Sequence, residues 1–186
     1  MLILITGASG SGTSTLGAAL ANELGIAHLE ADDYYWLPTA PPFTTKRDRA
    51  ERLSSLLRDV RAKQGAVLAG SIMDWGLELE NAFDLIVFLY LDASIRVERL
   101  RAREIEFLGK ADEEFLEWAA QYDAGILGGR SLAKHQAWLS ARTCPVIELR
   151  GDLSVRERVA AVLKHVTNSS IGRSAQNPDQ KAHLDQ

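Results

Sequence analysis

The chain opens with the apolar run Leu2 to Ile5 and continues as Gly7-Ala8-Ser9-Gly10-Ser11-Gly12-Thr13-Ser14-Thr15. Two glycines five residues apart, followed by a hydroxyl residue, give the spacing of a phosphate-binding P-loop, with Gly7, Gly12 and Ser14 at the defining positions. A Gly-rich turn of this kind points backbone N–H groups inward, and the helix that follows adds its positive end. Residues 7–15 are therefore predicted to bind a phosphate group.

One position departs from the motif, because Thr13 stands where a P-loop has lysine. The backbone N–H groups still favour an anion, and Ser14 keeps the hydroxyl that serves as a magnesium ligand. What is missing is a flexible cation over the β- and γ-phosphates of a nucleotide. Either another basic residue supplies that charge, or turnover is slow.

The loop and the adjoining Leu16 and Gly17, in a chain of 186 residues, resemble those of the small P-loop kinases, the adenylate, cytidylate and shikimate kinase group. The version Gly-Thr-Ser-Thr is similar to the lysine-less loops of some cytidylate kinase-like members. The resemblance covers about the first 165 residues in the order of elements. It implies a P-loop NTPase fold, with ATP and Mg2+ as cofactors and a sheet of strand order 2-3-1-4-5.

Five short apolar segments alternate with amphipathic ones, which predicts an α/β fold of three layers with a five-stranded parallel sheet. The strands are predicted at residues 2–5, 26–30, 66–70, 84–91 and 146–149. Beyond the helices that begin near Thr13 and after Asp92, helices are predicted at residues 45–63, 112–122, 131–141 and 154–166. We expect one domain over residues 1–166, followed by a polar, disordered tail at 167–186.

Composition favours a protein that acts on a small molecule. The 21 basic and 25 acidic residues give a net charge of −4, which argues against a nucleic-acid or anionic-membrane surface. No apolar run is long enough to span a bilayer, and no signal-peptide pattern is present, so a cytoplasmic location is expected. The single cysteine, Cys144, excludes an internal disulfide.

Acidic residues follow the second predicted strand, at the edge where open α/β sheets bind ligands. A carboxylate there can hold the water shell of Mg2+ or take the proton of an acceptor hydroxyl. Glu30 and Asp32 resemble the acidic pair of shikimate- and gluconate-type kinases, whereas Asp33 and Tyr35 resemble the Asp-x-Phe/Tyr segment of uridine kinase-like enzymes. We favour Asp32 as the catalytic carboxylate and as a metal ligand beside Ser14. Asp33 is the close alternative, and an acidic turn without function is the third.

Basic residues flank the segment that occupies the family's lid position, here residues 104–129. By resemblance, Arg99 packs on the nucleotide base and Arg103 contacts phosphates, and both tasks suit a planar guanidinium group. Arg130 follows two glycines that suit a hinge and is a second candidate for a phosphate contact. Gly151 lies where the family reads adenine with backbone groups. A solvated helix face remains the alternative for each arginine of the helix.

These features predict an ATP-dependent kinase that transfers the γ-phosphoryl group to a nucleoside monophosphate or a hydroxylated metabolite. Thr13 favours a second hypothesis, a nucleotide-binding sensor or interaction module that has lost catalysis. A GTPase switch is weaker, because the sequence has no Asn-Lys-x-Asp motif for reading guanine.

Overall fold

A computed structural model describes residues 1–174 of the chain, with side chains through residue 167. The backbone forms two compact units, Met1–Asp152 and a second that starts at Leu153. The first unit contains the whole sheet and every candidate site residue named above.

All strand pairs of the sheet are parallel, and the strand order is β2-β3-β1-β4-β5. The predicted fold class and strand order are therefore confirmed. The strands are β1 (Leu2–Gly7), β2 (Ala27–Glu30), β3 (Ala66–Ala69), β4 (Leu85–Tyr90) and β5 (Val146–Arg150).

Helices connect the strands, as parallel pairing requires. They are α1 (Thr13–Leu24), α2 (Ala31–Tyr35), α3 (Arg49–Arg61), α4 (Leu77–Glu80), α5 (Ala93–Leu108), α6 (Glu113–Ala120) and α7 (Leu132–Ser140). The helix predicted from residue 45 begins at Arg49, because the Asp48 side chain accepts the N–H groups of Ala50 and Glu51 and caps it there. Within residues 1–174, no helix has the length and apolar character needed to cross a bilayer.

The centre of the sheet anchors the phosphate loop. Ile3, Leu4 and Ile5 of β1 are fully buried, as expected for a central strand covered on both faces. Neighbouring β3 and β4 pair with β1 along most of its length. The Gly-rich loop therefore starts from a fully buried central strand that is paired on both sides.

The second unit corrects the prediction of where the last helix ends. This helix, α8, extends over Val155–Ser174, eight residues beyond the predicted end, so residues 167–174 are not an irregular tail. Each residue added to an existing helix adds one backbone hydrogen bond. A polar stretch can therefore extend a helix that packing has already formed. The predicted capping box is present, with the Glu157 carboxylate accepting the Ser154 N–H at 2.8 Å. The rest of the predicted tail, 175–186, lies outside the described residues.

A buried histidine links α7 to the start of the loop. The Nε2 atom of His135 lies 3.3 Å from the Thr6 hydroxyl of β1, and Nδ1 lies 2.6 Å from the Tyr122 hydroxyl. Burial, with the nearby charge of Arg130, lowers the pKa of His135 to about 4. The sequence suggests no role for this histidine. In the structure it connects the Thr6 and Tyr122 side chains in the protein interior.

We expect His135 to make folding stability depend on pH between 6.5 and about 4. In that range the unfolded chain binds a proton at an ordinary histidine, whereas the folded protein excludes it, so the contribution of His135 to stability decreases as the pH falls. The complete difference corresponds to about 3 kcal/mol of unfolding free energy. The raised pKa of Glu30, about 7, acts in the opposite direction over much of this range. Urea unfolding of wild type and of His135→Asn at a series of pH values measures the contribution of His135, because the contribution of Glu30 is common to both proteins. The unfolding free energy of wild type should decrease relative to that of the variant as the pH falls from 6.5 to about 4.

The matched control is His28→Asn, because burial also lowers the pKa of His28, although by less than for His135. The difference in unfolding free energy between wild type and His28→Asn should change less over the same pH range. A larger pH-dependent difference for His28→Asn than for His135→Asn would contradict the assignment.

Candidate active site

The phosphate loop joins β1 to α1, and its glycines are required by close backbone approaches. Gly10 has φ 82° and Gly12 has φ 92°, both in the left-handed region that favours glycine. A Cβ atom at Gly10 would lie 2.6 Å from the Arg96 carbonyl oxygen, and one at Gly7 would lie 2.6 Å from that of Leu89. Side chains at these positions would displace the loop from the sheet and from α5.

The start of α1 offers donors for an anion. Gly12 is the N-cap residue and has no side chain with which to accept the first N–H groups of the helix. Those groups have no partner inside the helix, and they carry its positive end. Ser14 is exposed in the first turn, beside them. The loop thus offers N–H donors suited to a polyphosphate chain, and the Thr13 side chain adds no charge to it.

Arg130 places a positive charge beside this loop. Its Nη2 atom donates a hydrogen bond of 3.1 Å to the Ser9 hydroxyl, and its guanidinium carbon lies 5.5 Å from the centroid of the Trp118 ring. Burial lowers the pKa of Arg130, and the Asp32 carboxylate opposes that shift. Arg130 therefore lies between the phosphate loop and the acidic segment.

Asp32 faces two of the predicted arginines. Burial raises its pKa, and the charges of Arg130 and Arg103 partly offset that effect, while Asp33 adds to it. The Asp32 side chain is nevertheless exposed to solvent. The structure brings together Asp32, Arg103 and Arg130, which are far apart in sequence.

Glu30, at the end of β2, contacts the hydroxyl predicted to bind magnesium. Ser14 Oγ donates to Glu30 Oε2 at 3.0 Å, and His28 Nε2 lies 3.1 Å from Glu30 Oε1. Burial raises the pKa of Glu30 to about 7, with Asp32 and Asp33 adding to the effect and the Ser14 hydrogen bond opposing it. The sequence favours Asp32 beside Ser14, whereas in the structure Glu30 is the carboxylate in contact with Ser14. The acidic-pair resemblance was the sequence signal for it.

A divalent ion fits this position only together with phosphate oxygens. Among residues 1–174, no group of three or more His, Cys, Asp or Glu side chains could hold a metal. Mg2+ is commonly bound by one or two protein groups plus substrate phosphates and water. Ser14 and Glu30 provide such a partial ligand set at the end of the phosphate loop.

The predicted base-binding residues also lie near each other. Arg99 forms an ion pair with Asp152, which directly follows Gly151. Gly151 has φ 86°, and its N–H donates to the Tyr90 carbonyl oxygen at 3.0 Å. Arg99 thus reaches the loop after β5, and contact of either residue with a nucleotide base remains a prediction.

Arg96 differs from the other arginines of α5, because it is buried whereas Arg99, Arg101 and Arg103 are exposed. It is 1% exposed. Its Nε atom donates to the Leu91 carbonyl oxygen at 2.9 Å, and Nη1 donates to the carbonyl oxygens of Ala119 at 3.1 Å and Ser9 at 3.5 Å. Through these hydrogen bonds, Arg96 connects the phosphate loop to α6 and stabilises the position of the loop.

Comparison with known proteins places the chain in a family. A protein-family model described as AAA domain matches residues 3–117, more than half of the chain. The chain belongs to the AAA domain family. It is 42% identical over 177 residues to the uncharacterized protein YqaC of Bacillus subtilis (strain 168), covering 90% of this chain and 98% of YqaC.

Two kinases are also similar to this member of the AAA domain family. A probable gluconokinase of Rattus norvegicus is 42% identical over 82 residues, which cover 39% of this chain and 44% of that protein. The crystal structure of shikimate kinase from Bacteroides thetaiotaomicron superposes with a TM-score of 0.60 at 18% identity, covering 90% of this chain and 98% of that one. The fold is therefore that of the small P-loop kinase group, as predicted.

Proposed function

We propose that this protein is an ATP-dependent phosphotransferase that moves the γ-phosphoryl group of ATP to a small-molecule acceptor. The observation that carries the proposal is the position of Arg130, which hydrogen-bonds Ser9 of the phosphate loop and lies close enough to Asp32 to oppose the rise of its pKa. One cation thus stands between a nucleotide site and a carboxylate suited to an acceptor hydroxyl. The similarity to a probable gluconokinase and to a shikimate kinase supports the same reaction class.

In this proposal the phosphates are bound by backbone N–H groups of residues 8–15 and by guanidinium groups. Phosphoryl transfer depends mainly on positioning and on charge stabilisation, because the transferred group carries its charge on oxygen atoms throughout. Arg130 and Arg103 supply positive charge on the side of the phosphates that faces away from the loop. Arg130 takes over the electrostatic role of the lysine that Thr13 replaces.

Ser14 and Glu30 are the residues that would hold Mg2+, with Asp32 close to its water shell. When bound, the ion neutralises charge on the phosphate oxygens. Near a cation the carboxylate of Glu30 is favoured in its ionised form, despite the raised pKa described above. Ser14 Oγ can keep its hydrogen bond to Glu30 and still offer a lone pair.

Asp32 is proposed to act on the acceptor. Its carboxylate accepts the proton of the acceptor hydroxyl as the oxygen bonds to the γ-phosphorus and the bond to the β-phosphate oxygen breaks. The products are ADP, the phosphorylated acceptor and a proton that Asp32 returns to solvent. A raised pKa makes Asp32 a stronger base than an ordinary aspartate.

Transfer of label from γ-labelled ATP to a panel of acceptors tests this function. The panel includes nucleoside monophosphates, sugars, sugar acids and cyclic hydroxy acids, each with Mg2+. We expect label in one class of acceptor with the wild-type protein and none with Ser14→Ala. Tight ATP binding without transfer to any acceptor would instead favour the sensor hypothesis that Thr13 suggests.

Restoring lysine at Thr13 should lower the transfer rate, by about tenfold. Thr13 is half-buried, and Arg130 already supplies a cation at the loop, so a second one would compete with it for the same phosphate oxygens. Steady-state kinetics of Thr13→Lys and the isosteric control Thr13→Val measure the effect. A faster enzyme, or ATPase activity that appears only in Thr13→Lys, would show that the natural loop lacks its cation.

A further inference from the structure

Trp118, on α6, contacts three consecutive residues that end at Arg130. Its Nε1 atom donates a hydrogen bond of 3.0 Å to the Gly128 carbonyl oxygen. A Cβ atom at Gly129 would lie 3.4 Å from the same Nε1 atom, so the indole ring packs against the backbone there. The guanidinium carbon of Arg130 lies 5.5 Å from the ring centroid, a distance at which the ring attracts a cation. One side chain thus holds both the turn and the cation that follows it.

The turn that leads to Arg130 needs such contacts to be ordered. Residues 124–129 are exposed, and three of the six are glycines. Glycine loses more conformational freedom on folding than any other residue, so an exposed turn of this composition is costly to order. The Gln121 side chain stabilises one part of the turn, because its Oε1 atom accepts the Leu127 N–H at 2.7 Å. Trp118 adds to its backbone contact a contact with the Arg130 side chain itself.

The position of Trp118 is linked to the phosphate loop through its neighbour in α6. The carbonyl oxygen of Ala119 accepts a hydrogen bond of 3.1 Å from Arg96 Nη1, the atom that also lies 3.5 Å from the Ser9 carbonyl oxygen. Arg130 donates to the hydroxyl group of the same serine. The helix that carries Trp118 and the arginine that Trp118 contacts are therefore both connected to Ser9.

We propose that Trp118 is a positioning residue for Arg130 and holds its guanidinium group at the phosphate loop, where it takes the place of the P-loop lysine. The inference rests on the proposed function and adds a residue on which its rate depends. A long arginine side chain has many rotamers, and stacking on an aromatic ring restricts them. A charge held in place before the reaction stabilises the transition state without reorganisation during the reaction.

Trypsin cleavage after Arg130 tests this placement without turnover. Ser131 is buried as the N-cap residue of α7, so cleavage requires the turn to open. We expect Trp118→Ala to accelerate this cleavage by about tenfold, and Trp118→Phe by about threefold, because phenylalanine keeps a ring but cannot donate to Gly128. Cleavage after Arg61, at the exposed end of α3, reports any general loss of stability. Equal acceleration at both bonds, or none after Arg130, would overturn the proposal.

Turnover supplies the second test. Trp118→Ala should lower kcat by about a hundredfold, the scale expected when a catalytic group is misplaced by about 1 Å, and Trp118→Phe by about fivefold. KM for ATP should change little, because the backbone N–H groups of the loop remain.

Trp138→Phe is the matched control for Trp118→Phe. Trp138 Nε1 also donates a hydrogen bond, of 2.7 Å to Glu80 Oε2, and its ring centroid also lies near an arginine, 4.7 Å from the guanidinium carbon of Arg142. Trp138→Phe should leave kcat within about twofold of wild type. Equal losses of kcat in Trp118→Phe and Trp138→Phe would contradict the inference.

A double variant distinguishes positioning from a general effect on the structure. If Trp118 acts through Arg130, Trp118→Ala introduced into Arg130→Ala should lower kcat by at most about twofold more. Losses that multiply, as for two independent residues, would show that Trp118 does not act through Arg130.

These tests separate the inference from the kinase proposal. Absence of transfer to every acceptor, with faster cleavage after Arg130 in Trp118→Ala, would refute the phosphotransferase and leave the placement of Arg130 by Trp118 standing. Transfer by the wild-type protein, with kcat unchanged in Trp118→Ala, would do the reverse.

Discussion

Arg130→Ala is expected to lower kcat for phosphoryl transfer by about a thousandfold, the range in which a transition-state arginine contributes to phosphoryl-transfer enzymes. Arg130 contacts Ser9 of the phosphate loop at 3.1 Å and lies beside Asp32, so its removal leaves a lysine-less loop without its nearest cation. ATP binding should weaken less than kcat, because the backbone N–H groups of the loop remain. Steady-state kinetics and calorimetric titration with Mg2+ and ATP separate the two effects.

Arg101→Ala is the control for loss of positive charge, because Arg101 is exposed on α5 and pairs with Glu113. It should leave kcat within about twofold of wild type, as expected for a surface ion pair. Arg103→Ala is expected to fall between the two, since the charge of Arg103 acts on Asp32, whereas Arg130 also hydrogen-bonds the loop. A full loss in Arg103→Ala with little loss in Arg130→Ala would mean that the missing cation comes from α5.

The sheet could be predicted because the apolar pattern of each short segment agrees with the buried position that the segment occupies in the fold. β1 is a continuous apolar run that ends in glycines, which is typical of a buried central strand and forces the loop that follows. The short helices α2 and α4 could not be predicted. They span five and four residues, too few to show a helical period, and tertiary contacts decide whether such segments are helical.

Site residues could be predicted where a backbone motif or a family resemblance identifies them. They could not be predicted where the role of a residue depends on its burial in the folded chain. Nothing in the sequence distinguishes Arg96 from the exposed arginines of α5, whereas the folded chain buries it against the phosphate loop. Glu30 and Asp32 are two residues apart and chemically alike, so only their neighbours distinguish them. Ser14 contacts the first, and the second faces Arg103 and Arg130. Such differences depend on which distant elements meet, and a single sequence does not contain that information directly.

Asp32→Asn is expected to lower kcat by roughly two to four orders of magnitude, with KM for ATP little changed. The amide keeps the shape of the side chain but cannot accept the proton of the acceptor hydroxyl, and it removes the negative charge that faces Arg130 and Arg103. Single-turnover measurement of phosphoryl transfer reports this step without interference from product release.

Asp33→Asn is the matched comparison, because Asp33 is the adjacent residue of α2 and carries the same charge. Its carboxylate raises the pKa values of Glu30 and Asp32, so it acts on the site through neighbouring groups, and its loss should reduce kcat by about tenfold or less. If Asp33→Asn were the inactive variant and Asp32→Asn retained most of its activity, the acceptor would lie on the other side of α2. Arg130 would then stabilise the carboxylate of Asp32 without meeting the transferred group, and the proposed proton transfer would have to be reassigned to Asp33.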